Sequence, residues 1–206
     1  MNAIVKNAAE FVEWLLSPLS SWHFYHNYDH AIEVMERAIY LAKHENVNPE
    51  EIEGLAIAAL FHDTGFMVQY DENEIIWAKI AHNYLKTTGY DDDKIHSIEK
   101  LIMATDPAYK HPENILEKII KDADLDNLGT SDFIRKWDLL LQELKIIKNI
   151  NLDTHAWHLS ALKLIENHQL YTKTQSDERN KWLNDNVVAL KKLVQHENSN
   201  FIEIEL

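Results

Sequence analysis

The chain has 206 residues, 46% hydrophobic and 10% aromatic, enough to bury one sizeable core, and a formal net charge of −14. That charge excludes a nucleic-acid polymer as partner, because no basic run could displace counterions along a phosphate backbone. The absence of cysteine excludes disulfides, thiolate zinc sites and cysteine nucleophiles. No basic segment leads into an apolar one at the start, and no window approaches about 18 apolar residues, so a soluble, cytoplasmic protein with no membrane contact is expected.

Four glycines and four prolines leave little turn chemistry for a many-stranded sheet. The apolar residues recur with a 3.6-residue period, which predicts an all-α fold and one domain over 1–206. The first helix runs over 3–16 and ends at Ser17-Pro18. A second, over 29–45, starts at Asp29, and Asn48-Pro49-Glu50 opens a third. That third helix is buried, since Leu55 to Phe61 are seven apolar residues in a row, and it finishes on His62-Asp63 before Gly65. After a loop over 66–72, helices are expected at 73–88, 92–105, 113–128, 131–148, 153–170 and 177–197, with Gly89, Asp106-Pro107 and Gly129 as breaks.

Three places put polar side chains on inward faces. His62 and Asp63 end a buried helix, where they either bind a metal ion or form a satisfied core pair. His30 heads the stripe Val34, Ala38 and Leu41, with His26 four residues before it and on the same side if the helix starts that early. Leu116, Ile120, Asp124 and Leu128 form one i+4 row, apolar except for Asp124, whereas Lys118, Asp122 and Asp126 fall on the opposite side and read as surface charges. A buried acid paired with a facing cation is the alternative for Asp124. Together the three places favour a metal.

The order His30, His62-Asp63, Asp124 resembles the HD superfamily of metal-dependent phosphohydrolases, which are all-helical, and the resemblance covers residues 20–145. Tyr25-His26-Asn27 followed by His30-Ala31 and Val34 is similar to the corresponding stretch of the cyclic-nucleotide phosphodiesterases. Phe61-His62-Asp63 and Asp122-Ala123-Asp124-Leu125 with Leu128-Gly129 are closer to small bacterial HD hydrolases. The resemblance implies an HD-domain helical bundle, with residues 146–206 as a C-terminal helical extension. It also implies His30, His62, Asp63 and Asp124 as ligands of a divalent metal (manganese, iron, cobalt, nickel, zinc or magnesium). His26 and Asp63 are then the catalytic residues, His26 protonating the leaving group. One tight ion is expected, with room for a second bridged by Asp63. The further histidines of six-ligand relatives are missing near Asn73 or Glu74 and at Thr105.

The implied activity is hydrolysis of a small nucleotide or related phosphoester by attack of a metal-bound water. Glu72 or Glu74 would orient the water, and Arg135, Lys121 or Lys100 would meet the phosphate. The competing reading is a metal-binding module without turnover that senses a ligand or binds a partner; a di-iron oxygenase is a third, disfavoured by the missing histidines. The oligomeric state stays open between monomer and homodimer. His82 shares a row with Ile75, Ala78 and Leu85 and reads as core or border. His155, His158, Trp157 and Trp182 read as packing, and Lys173 and Arg179 as helix-end charges rather than groups over a pocket mouth. His44, His96, His111 and His196 have no expected role.

Overall fold

The computed structural model describes residues 3–18, 21–67 and 74–204. The expected Glu72 lies outside them. Nine α-helices and two short 3-10 turns occur among the described residues, with no strand, as the sequence periodicity predicts. They are α1 (Ala3–Leu16), α2 (Tyr28–His44), α3 (Pro49–Phe61), α4 (Glu74–Thr87), α5 (Asp92–Met103), α6 (Ile115–Asp124), α7 (Phe133–Ile147), α8 (Thr154–Glu166) and α9 (Lys173–Ile204). The 3-10 turns are Thr64–Met67 and Asp126–Gly129. No described helix is long and apolar enough to cross a membrane.

Helix α3 is the centre of the first core. Every side chain from Leu55 to Phe61 is buried, and α3 packs against α1, α2, α4, α5 and α6. Its start is set by Asn48, whose side chain accepts from Glu51 N at 2.9 Å, followed by Pro49 in the first turn. A second core gathers Leu128, Phe133, Ala161, Ile165 and Leu190, from the 3-10 turn, α7, α8 and α9.

Several boundaries differ from the sequence expectation. Helix α2 begins at Tyr28 and is capped by Asn27 rather than Asp29; Asn27 Oδ1 accepts from His30 N at 3.1 Å, so His26 precedes the helix. Helix α6 stops at Asp124 and tightens into the 3-10 turn, instead of continuing to 128. Helix α9 starts at Lys173, four residues before the expected 177.

Asp122 and Asp126 are not surface charges. Asp122 is fully buried and accepts from Tyr171 N (2.9 Å), Thr172 N (2.7 Å) and Thr172 Oγ1 (2.7 Å), which anchors the two residues that lead into α9 and sets a carboxylate at its N-terminal end. Asp126 accepts from Arg179 Nε and Nη2 at 2.7 and 2.9 Å and from Gln175 Nε2 at 3.0 Å, and forms an ion pair with Arg37, whose Nε lies 2.8 Å away. The face of α6 opposite the Asp124 row is therefore covered, and by polar partners that leave no apolar period in the sequence. Arg179 is correspondingly a bridge between α9 and the 3-10 turn. That approach is close: a Cβ on Gly129 would lie 2.5 Å from Arg179 Cβ, so only glycine fits. Lys173, by contrast, is an exposed helix-end charge paired with Asp177.

Candidate metal centre

Helix ends build the site. His62 caps the C-terminus of α3, where the last carbonyls lack helical donors, and its Nδ1 donates to Ala59 O at 2.7 Å. Thr64 Oγ1 donates to Phe61 O at 2.9 Å and satisfies another. With the proton on Nδ1, the His62 Nε2 lone pair points inward. That nitrogen is buried without a hydrogen-bond partner, yet it lies 3.2 Å from both Asp63 Oδ2 and Asp124 Oδ1. Helix α2 brings His30 Nε2 to 3.3 Å from Asp63 Oδ2 and 3.7 Å from Asp124 Oδ1. Asp124 is the last residue of α6.

His30, His62 and Asp124 offer donor atoms that all lie within 4.8 Å of one another, a spacing one ion can span. Asp63 sits against both imidazoles. Two neutral imidazoles and two carboxylates leave two negative charges in a buried place, which suits a divalent cation. The protonation preferences express the same need for positive charge. Burial alone would lower His62 and His30, but the facing carboxylates hold both above their ordinary values, His62 by far the more. Burial would raise Asp63 and Asp124, and the imidazoles hold both below the usual carboxylate range.

His26 stands beside this cluster, its ring 6.2 Å from that of His30. Phe66 packs on it at 4.0 Å between centroids, and Tyr25 meets its ring edge-on at 4.9 Å. Its Nδ1 donates to Glu143 Oε1. The other oxygen of Glu143 accepts from Tyr25 N and His26 N at 2.9 and 3.1 Å. The Glu143 carboxylate is fully buried; burial would raise its pKa, but the bonds from His26 and the two backbone amides hold it below the ordinary value and so ionised. Glu143 is not among the site residues expected from the sequence. It sits in the row Leu139, Glu143, Ile147, the same kind of signal that marks Asp124. Tyr25 is partly buried: desolvation, with Asp124, Asp63 and Glu33 adding to it, keeps its phenol neutral, and its hydroxyl accepts from Asn127 Nδ2 at 3.0 Å.

Two cavities open onto His30. The larger, about 420 Å³, runs along α2 past Arg37 and Tyr40; the smaller, about 170 Å³, lies under Phe24 and Tyr25. Of the three expected phosphate contacts, Arg135 lines the smaller cavity. Lys121 is turned away, donating to Ala104 O and Asp106 O at 2.8 and 3.2 Å, and Lys100 is exposed on α5. The hydroxyl of Thr105 donates to Ile102 O at 2.7 Å, a capping bond. His82 is a border residue, paired with Glu99 at 2.9 Å. Trp157 stacks on Trp137 at 4.6 Å and not on Trp182, which is 38% exposed.

Residues 27–126 match the family model of the HD domain. Among solved structures, the chain resembles Bacillus subtilis YpgQ in complex with ADP, at a TM-score of 0.62 and 20% identity, over 91% of this chain and 93% of that one. A predicted HD superfamily hydrolase from an uncultured Thermotogales bacterium aligns at a TM-score of 0.56 and 20% identity, over 95% and 92%. The Lin1889 protein of Listeria innocua aligns at 0.59 and 21%, over 95% and 98%. These likenesses are of fold. No curated protein matches the chain.

Proposed function

Since the chain belongs to the HD-domain family over residues 27–126, we propose that it is a metal-dependent phosphohydrolase or phosphodiesterase of small nucleotides or related phosphoesters. His30, His62, Asp63 and Asp124 hold one divalent transition metal. The observation that carries this reading is the buried Nε2 of His62, without a hydrogen bond and 3.2 Å from two carboxylates. A divalent ion in that cradle would bring the pKa of water down to roughly 7 and polarise a phosphoryl oxygen.

The other steps belong to the chain itself. Glu143 fixes the His26 proton at Nδ1 and supplies the negative charge that balances an imidazolium, so that His26 can deliver a second proton from Nε2 to the departing oxygen. Phe66 and Tyr25 hold the ring in place and shield it from water. A cleft of about 420 Å³ is of small-molecule size, and the net charge of −14 disfavours a long polyanion. The ADP in the Bacillus subtilis neighbour supports a nucleotide as the ligand class.

The test is turnover of a nucleotide and phosphoester panel with manganese, cobalt, nickel, magnesium or zinc, alongside an oligonucleotide. Metal-dependent release of phosphate or a nucleotide from a small substrate is expected. Degradation of the oligonucleotide with no activity on mononucleotides would overturn the reading.

A further inference from the structure

The two cavities at His30 share one basic side chain, Lys136 on α7. The other basic groups on their walls are already committed. Arg37 is spread over Asp126, Gln175 and Glu178, with only 10% of its side chain exposed. Arg135 is held by both oxygens of Asp132 and is 61% exposed. Lys136 is 20% exposed and bound to a single carboxylate, Glu33, which is 55% exposed. Glu33 lies three residues after His30, one turn along the same face of α2, which puts the Lys136 ammonium about one helical turn from the candidate metal ligand.

We propose that Lys136 binds an anionic group of the substrate adjoining the one that reacts, and that Glu33 is a stand-in this group displaces. The inference rests on the phosphoester reading of the site. A half-exposed ion pair holds its partner weakly, and Glu33 can rotate into water without leaving a buried charge behind. An ammonium 20% exposed, beside a cleft crowded with carboxylates, then gains more from a doubly charged phosphoryl group than from Glu33. The site selects compounds with a second anionic group beside the first over those with one.

Binding can be read without turnover. Calorimetry on the manganese-loaded protein would compare methylenediphosphonate, with two anionic groups and no cleavable bridging oxygen, with methylphosphonate, which has one. Lys136→Gln should weaken the diphosphonate about ten- to fiftyfold and the monophosphonate less than about threefold, at unchanged metal content. Lys136→Arg should restore most of the difference, and Glu33→Gln should tighten the diphosphonate about two- to fivefold. If Lys136→Gln weakens both probes alike, or neither, the assignment is wrong while the phosphoester reading stands. If the unmodified protein binds neither probe, that reading fails and this inference with it.

Discussion

The buried carboxylate of Glu143 on α7 accepts the Nδ1 hydrogen of His26 across 117 residues of sequence, and its second oxygen takes the backbone N–H groups of Tyr25 and His26. One side chain thereby sets both the tautomer of the imidazole and the path of the backbone that carries it. In Glu143→Gln, the amide oxygen should keep the two backbone donors and turn its NH₂ toward Nδ1, which reverses the tautomer and removes the balancing charge. Turnover of a poor leaving group should fall about 10²–10³-fold, with metal content unchanged. The alkaline limb of the pH–rate profile, which reports the group that must be protonated, should move as well, a change that a merely structural role would not produce.

His26 and His30 should separate cleanly. His26→Ala is expected to keep its metal and lose about 10²–10⁴ in turnover, with a smaller loss for an activated aryl phosphoester that hardly needs a proton. His30→Ala should lose metal and activity together. Elemental analysis beside the kinetics decides, and an emptied site in His26→Ala would make His26 a ligand.

Asp124 and Asp126, two residues apart, should fail in different ways. Asp124→Ala should lose most of the metal. Asp126→Asn should keep it and lose about 2–3 kcal/mol of stability, because Arg37 and Arg179 then share a neutral partner. Metal content and urea unfolding of the two variants check this; equal metal loss would remove the ligand assignment.

Acid sensitivity should come partly from His168. Burial, with Lys121 nearby adding to it, pushes its pKa down from 6.5 to about 4. The folded state therefore binds fewer protons than the unfolded chain between these values. Its contribution is complete above pH 6.5 and is lost as the pH falls through about 4, by roughly 3 kcal/mol. His168→Gln should flatten the urea-derived stability curve over that window; an unchanged slope would assign the acid sensitivity to other groups.

The parts of the molecule that could be read from sequence are those in which apolar residues mark the frame around a polar one. Leu55 to Phe61 announce a buried helix and so draw attention to His62-Asp63, and Ile120 and Leu128 do the same for Asp124. Asp122 and Asp126 look like surface charges in the sequence because their partners are backbone amides at Tyr171 and Thr172 and guanidinium groups on α2 and α9, none of which leaves a hydrophobic period near residue 124. Glu143 did lie in an apolar row, but α7 also carries enough charge to pass for a solvated helix. Lys136, seven residues before it and so on the same face, was hidden in the same way.

The metal ligands belong to elements of the first core, whereas the anchor of His26 comes from α7, which packs with α8 and α9 around the second. Ion retention and proton delivery therefore depend on two bodies of packing joined by polar bridges, among them those of Asp122, Asp126 and Glu143. A local opening confined to the smaller, carboxyl-terminal body would leave the ligands of the larger one assembled. On warming, the protein should pass through a range in which it is loaded but silent, with turnover recovering on cooling and no need for the metal to be added back.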